Sequence, residues 1–306
     1  MAGRRSLLTT AEAVVADIEP GATLGFAGLL TASHSMPIVR ELIRRGIGDL
    51  HVVGTASGLE VDMLIAAGLV RRVSAATVSG DTLEMIGPAF RREAQAGRIE
   101  VWECDEGMVY AALQAAAQRL DFAPLPVGLG GSYADLNEGM EVIASPFTGR
   151  PVLAIKAIPL DFCFIHAAAS DPFGNVQFVG GGFGARAFAR AAERIVCTVE
   201  QVIDNTAVRA NPAATALAGV HDVIHAPFGA HPFASPGFYI YDEPLLREYL
   251  DAAKHWLRSD ERGPLDAFFE QWILVPDSHW AYLDMVGSQR LYALGETLSD
   301  LPAGDS

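Results

Sequence analysis

The chain has 306 residues, 50% of them hydrophobic and 19% charged, with 37 acidic against 22 basic side chains and a formal charge of −15. That hydrophobic content excludes a largely disordered chain and is ample for a sizeable core. The negative charge, with no basic patch beyond the pairs Arg44-Arg45, Arg71-Arg72 and Arg91-Arg92, argues against binding to a nucleic acid or an anionic membrane surface.

Helical and strand patterns alternate from the start. Thr9-x-x-Glu12 reads as a capping box opening a helix at Ala13-Val14-Val15-Ala16. Pro20-Gly21 turns the chain into an apolar strand, 23–28, that ends in glycine. Ser35 caps a helix with Pro37 in its first turn, and Gly46 ends it. A strand over 50–54 and a helix over 58–67, stopped by Gly68, follow. A strand lies within 70–78, a helix spans 83–96, interrupted by Gly87-Pro88, and a strand spans 99–102. The alanine-rich segment 106–120 is a helix.

Short strands joined by helices of this length are βαβ units. They predict an α/β fold with an open, mainly parallel sheet flanked by helices, a Rossmann-like layered architecture. The sheet is expected to resume at 151–155 and 162–168, with a turn at Asp171-Pro172-Phe173-Gly174-Asn175 and a return near 177–179. A helix over 183–194, a strand over 195–199, and helices over 244–257 and 265–271 complete the pattern. The Pro/Gly-rich stretch 226–237 is a candidate hinge, residues 301–306 form an expected loose tail, and the whole chain, 1–306, is expected to be one domain.

Cys104, Cys163 and Cys197 are widely spaced and form no C-x-x-C, which fits a reducing cytoplasm. Leu7-Leu8 is followed at once by threonines, so no signal-peptide core is expected; the most apolar run, 152–169, is broken by Lys156, Pro159, Asp161 and His166. The expectation is a cytoplasmic protein without membrane attachment.

Five glycine- or serine-rich segments fall where strands are expected to end: 25–35, 55–60, 79–81, 128–132 and 180–184. In open α/β sheets the ligand crevice lies outside those ends, and small residues let a backbone approach a ligand closely. Gly28, Ser33, Ser57, Ser79, Gly130, Gly131 and Ser132 are accordingly the candidate substrate contacts. Gly180-x-Gly182-x-x-Ala185 mimics a dinucleotide fingerprint but lacks the acidic residue about 20 positions on. At Cys104-Asp105-Glu106-Gly107-Met108 a strand passes into a helix. Either carboxylate there suits acid/base work; Asp105 equally suits a helix cap, and the balance favours Glu106 for the chemistry. Asp105 disfavours a Cys104 thiolate. His221, His225 and His231 cluster without an H-E-x-x-H pattern and read as structural rather than as a metal site; His166 reads as a buried core histidine.

Several segments carry a family likeness by their order and spacing. They are Gly25-Phe26-Ala27-Gly28 with Pro37-Ile38-Val39-Arg40-Glu41, the run Asp62-Met63-Leu64-Ile65-Ala66-Ala67-Gly68, and Ser145-Pro146-Phe147-Thr148-Gly149. Asp171-Pro172-Phe173-Gly174-Asn175, Ala191-Ala192-Glu193-Arg194 and Pro227-Phe228-Gly229-Ala230-His231-Pro232 follow. Over roughly residues 11–294 the chain resembles the A subunit of family I coenzyme A transferases of the glutaconate CoA-transferase type. The segments 105–120 and 128–132 resemble most the branch containing steroid-ring-opening CoA-ester hydrolases; a decarboxylase branch belongs to the same family.

The resemblance implies a CoA-transferase-like fold and an A subunit paired with a B subunit in an α2β2 heterotetramer. It implies an acyl-CoA substrate, with coenzyme A arriving as part of that substrate and no permanently bound cofactor or metal. It also implies a catalytic role for Glu106, with the main nucleophile, a glutamate, on the B subunit. The chain carries no segment matching that nucleophile's motif. Where an arginine often precedes the proline of the second loop, this chain has Ser33-His34-Ser35-Met36. Movement of CoA between carboxylic acids is the expected reaction; C–C hydrolysis or decarboxylation of a CoA ester is the alternative. A non-catalytic regulatory module with a related core would need a DNA-binding helix-turn-helix, for which this N-terminus lacks both length and basic charge.

Overall fold

A computed structural model of the chain describes residues 5–299; the expected loose tail, 301–306, lies outside them. The first half runs β1 (Leu8–Thr9), α1 (Ala11–Val15), β2 (Thr23–Phe26), α2 (Met36–Arg45), β3 (Leu50–Val53), β4 (Ala56–Ser57), α3 (Leu59–Ala66), β5 (Val70–Ser74), β6 (Thr77–Val78), α4 (Pro88–Gln95), β7 (Glu100–Val101) and α5 (Glu106–Ala117). A middle segment holds β8 (Phe122–Leu125), α6 (Tyr133–Leu136), β9 (Met140–Ala144) and β10 (Pro151–Lys156). Next come β11 (Leu160–Ser170), β12 (Asn175–Gln177), α7 (Ala185–Ala191), β13 (Ala192–Val202), α8 (Asn205–Ala210), β14 (Thr215–Ala218) and β15 (Asp222–His225). Four helices follow: α9 (Glu243–Ser259), α10 (Gly263–Phe269), α11 (His279–Val286) and α12 (Ser288–Ser299).

The central sheet has the strand order β1-β15-β13-β11-β2-β3-β5-β7, and every pair along that path is parallel. Helices cover both faces, as the alternation of patterns implies. One core joins the sheet to α1, α2, α3 and the C-terminal helices through Leu24, Val39, Leu64, Phe164, Leu246 and Phe268. The other joins it to α5 and α7 through Met108, Ala112, Ile165, Phe188 and Val199. From β2 the chain steps outward through β3, β5 and β7, then returns to the centre at β11 and steps outward the other way. The reversal of order therefore falls between β2 and β11.

Local chemistry sets the element ends. Gly46 closes α2 in the left-handed region at φ 64°, its N–H donating to Ile43 O and Leu42 O. The first helix starts one residue later than its capping box suggests. Thr9 pairs with Ile224 in the sheet, and Thr10 Oγ1 accepts from Ala13 N at 3.3 Å. Thr10→Ala is expected to destabilise the fold by about 1 kcal/mol, read as a lower midpoint in urea unfolding.

Four further expectations are corrected. The helix expected over 83–96 begins only at Pro88, because Gly87 is extended before the proline. The helix expected over 183–194 is shorter, since Ala192 already opens β13. Residues 151–155 do not join the central sheet: β10 is the middle strand of a separate antiparallel sheet, β8-β10-β9. The stretch 226–237 is no hinge. It is pinned by Phe228 N to Glu200 Oε2 at 2.7 Å, Ala230 N to Tyr239 Oη at 3.0 Å and Ser33 N to Ala234 O at 2.9 Å, and its middle is buried.

Candidate active site

The reversal of strand order leaves a notch in the sheet. β2 ends level with Phe164 of β11, through the pair Phe26 with Phe164. β11 runs on to Ser170, and β12 returns along the same side only at Ala169 and Ser170. Among the described residues, no strand pairs with 165–168 on that side. Such an opening outside the carboxyl ends is where ligands bind in open α/β sheets.

The loop after β2 sits at this notch. Gly28 has φ 155°, and a Cβ there would collide with the His34 ring. Leu30, at φ 47°, and Ser33, at φ 63°, hold left-handed backbone without being glycine. The loop is tied down by Leu30 N to Ala56 O at 2.9 Å and by the bond from Ser33 N to Ala234 O. The next loop adjoins it: β4 and β6 pair in parallel, and Ser79 N donates to Ser57 O at 3.0 Å. Gly28, Ser33, Ser57 and Ser79 thus sit on one ledge of hydrogen-bonded loops, and all four are buried. Ser57 Oγ is buried without a protein partner. The Ser79 hydroxyl is engaged within its own turn, donating to Glu84 O at 3.2 Å and accepting from Asp81 N at 3.0 Å.

Beneath the ledge lies a pair that the sequence patterns do not reveal. His34 and Glu60 are each 1% exposed, with Nδ1 and Oε1 3.2 Å apart. His34 Nε2 lies 3.0 Å from Leu30 O, and Glu60 Oε1 accepts from Gly58 N at 3.1 Å. Burial pulls the imidazole down to about 3 and pushes the carboxyl up to about 8. A signal is nevertheless present in α3: all eight of its residues are buried, so a helix enclosed on every side offers its acids no wet face.

Glu106 stands elsewhere on the same end of the sheet. It is the first residue of α5, exposed, and makes no side-chain bond among the described residues. Asp105 beside it is the cap, its Oδ1 accepting from Met108 N at 2.8 Å. One turn along α5, on the face that Glu106 shares at i+4, Tyr110 packs against Gly184, where a Cβ would lie 2.7 Å from Tyr110 Oη. A cavity of about 540 Å³ opens there, lined by Phe178, Gly182, Phe183, Ala213 and Ala216. Gly130, Gly131 and Ser132 are exposed on the loop after β8, next to the first turns of α5, since the Gly128 Cα faces Met108. That loop ends a strand of the small sheet, which corrects its expected place on the main one. No hydrogen bond or ion pair among the described residues joins this group to the ledge.

The remaining sequence candidates are accounted for locally. Burial, reinforced by Asp105 and Glu103, pushes the Cys104 thiol up to about 12, away from nucleophile chemistry. His166 is a buried core histidine with partners on three sides: Thr198 Oγ1 at 3.0 Å, Glu200 Oε1 at 2.8 Å and Ser235 Oγ at 3.2 Å. His231 is held by Tyr282 Oη and Asp242 Oδ2, whereas His221 Nδ1 accepts from Ile195 N. The clustered loop histidines thus have separate surroundings, and no metal-holding group of side chains occurs among the described residues. No helix among them is long and apolar enough to cross a membrane.

Comparison with known proteins places this arrangement. The chain is 28% identical over 306 aligned residues to the A subunit of glutaconate CoA-transferase from Acidaminococcus fermentans, covering 94% of each. The crystal structure of the enzyme from that organism superposes with a TM-score of 0.88, covering 94% of this chain and 95% of that one. The cholesterol ring-cleaving hydrolase IpdA subunit of Mycobacterium tuberculosis is 34% identical over 256 residues, covering 80% of this chain and 87% of its own. An uncharacterized protein from Archaeoglobus fulgidus is 32% identical over 291 residues, and the chain spans only 64% of its length. The coenzyme A transferase family profile matches residues 8–226. With the family profile matching residues 8–226 and a likeness to an A subunit over 94% of its length, the chain belongs to the coenzyme A transferase family.

Proposed function

We propose that the chain is the A subunit of a two-subunit enzyme that moves coenzyme A between carboxylic acids by way of an acyl-CoA thioester. The observation that carries this reading is the match to an A subunit over 94% of each chain. The partner B subunit would supply the carboxylate that attacks the thioester carbonyl, giving an acyl anhydride and then an enzyme–CoA thioester. This chain would build one side of the crevice. Backbone at Gly28, Ser33, Ser57 and Ser79 approaches the acyl-CoA, while Gly130, Gly131 and Ser132 border the α5 side. Glu106 holds or moves a proton at the acyl group, being exposed and unengaged. No resident cofactor is required, since coenzyme A comes and goes with the substrate.

Apolar side chains support a partner surface. Phe147 is 95% exposed, and Leu136 and Val142 are more than half exposed, on the lobe that carries the Gly130 loop. An α2β2 assembly in the cytoplasm is the form we assign. A second reading, hydrolysis of a C–C bond in a CoA ester, is favoured by the 34% identity to a ring-cleaving hydrolase subunit.

The test is to co-purify the chain with its B subunit, then follow a labelled free acid with an acyl-CoA. Label entering the CoA ester is the expected result. Consumption of the ester without exchange selects the hydrolytic or decarboxylating reading, and neither outcome across a range of acyl-CoA esters overturns the proposal.

A further inference from the structure

The cavity beside Tyr110 and Gly184 continues along α7. A second cavity, of about 350 Å³, meets it at Arg186 and Ala216, which border both. The two form a trench between α7 and β14. Its near end is Gly184, packed against Tyr110 on the face of α5 that carries Glu106. Its far end reaches Arg190, Leu217 and Val220. The near part is walled by Phe178 and Phe183 with alanines and glycines. The charge along the trench has one sign. Among the described residues that line it, Arg186 and Arg190 are the charged ones and no carboxylate occurs, in a chain with 37 acidic against 22 basic side chains. Both arginines are exposed, and neither is in an ion pair among the described residues. Arg186 Nε donates to Ala216 O at 3.1 Å, which fixes its guanidinium where the two cavities join. Like charges at i and i+4 disfavour a helix, and an anion bound between them removes that repulsion.

We propose that this trench holds the coenzyme A part of the substrate, with the pantetheine arm along its apolar stretch and the nucleotide phosphates between Arg186 and Arg190. The inference rests on the function proposed above and names where the A subunit grips that substrate. The order of chemistry along the ligand matches the order along the trench. An acyl-CoA runs from the thioester through a mostly apolar arm with amides to a cluster of phosphates. The trench runs from the neighbourhood of Glu106 through aromatic and alanine walls, where glycines expose backbone to amides, to the two arginines. A guanidinium suits phosphate because its planar fork of N–H groups meets two oxygens at once. Another cationic cavity, of about 360 Å³ and lined by Arg91, Lys254 and Arg258, is less suited. Glu84 lines it too and is ion-paired with Lys254, and it is bordered by α4 and α9 rather than by α5.

The test uses the two-subunit complex and has one arm that needs no turnover. Arg186→Ala and Arg190→Ala are each expected to raise the KM for acyl-CoA about tenfold, the loss of one charge-assisted contact, with kcat held within about twofold. The matching acyl-pantetheine thioester, which has no nucleotide phosphates, is expected to react alike with wild type and variants. Arg91→Ala removes an exposed arginine from the other cavity and is expected to leave KM within about twofold, which separates contact from general attraction of an anion. Calorimetric titration with coenzyme A itself should show affinity about tenfold weaker in both trench variants. Arg186→Ala also breaks the bond to Ala216 O, so Arg190→Ala, which breaks none among the described residues, decides between contact and local disorder. Unchanged coenzyme A affinity in Arg190→Ala, an equal loss with acyl-pantetheine, or an equal loss in Arg91→Ala would each overturn the trench. A wild-type complex that turns over no acyl-CoA, yet binds coenzyme A and loses that binding in Arg190→Ala, removes the proposed reaction and keeps the site.

Discussion

In the two-subunit enzyme, Glu106→Gln is expected to lower kcat by about 10² to 10⁴-fold, the range for loss of a positioned acid/base group. The same change should leave the fold intact. Glu106 is the exposed first residue of α5 with no bonded partner among the described residues, and exposed substitutions of that kind shift stability by about 0.5 kcal/mol or less. Asp105 provides the control. It caps α5 through Met108 N, so Asp105→Ala should cost about 1 kcal/mol of stability with a smaller effect on turnover. Steady-state kinetics and urea unfolding on the two variants separate the roles. Full activity in Glu106→Gln would remove this residue from the chemistry.

Asp62→Ala is expected to destabilise the chain by about 3 kcal/mol, because it leaves three buried donors unpaired. Asp62 is fully buried in α3 and accepts from Phe90 N at 2.7 Å, Ala89 N at 3.3 Å and Tyr249 Oη at 2.7 Å. Gly87 cannot cap α4 with a side chain, so Asp62 caps that helix from a neighbouring one and ties it to α9 through Tyr249. Burial outweighs these hydrogen bonds and holds the carboxyl up at about 6, above the free value of about 3.9. The folded chain therefore keeps this proton in a window where the unfolded chain has released it. The associated stability is fully present below the unfolded value and is shed as pH rises through about 6. The gap between wild type and Asp62→Ala should narrow over that window in urea unfolding. A loss well under 1 kcal/mol would overturn the capping role.

Much of the architecture was legible where backbone chemistry is explicit. Gly46 and Gly68 marked helix ends that the structure keeps, both at positive φ. The turn at 171–175 followed from Asp171, whose Oδ1 accepts from Phe173 N and Asn175 N. The run 151–155 was recognisable as a strand, but periodicity is silent on which sheet a strand joins. Its partners β8 and β9 are largely exposed or half-exposed along their length, which leaves no apolar signature. Gly28 and Ser57 were legible as small residues where strands end, which is where the structure has them. His34 and Glu60 were not read as a pair, since 26 residues separate them and only the parallel neighbours β2 and β3 bring their loops together.

The notch beside β11 also divides the crevice by stiffness. Its floor is the overhang of β11, a strand hydrogen-bonded along its other edge to β13 from Leu160 to Ser170. Its rims are the turns that follow β2 and β12. Backbone in a paired, buried strand opens at free energies that approach that of the whole domain, whereas turns open more readily. An acyl group lying in the notch would therefore rest on backbone that is among the last to open, bordered by turns of which the one after β2 is itself tied down at Leu30 N and Ser33 N.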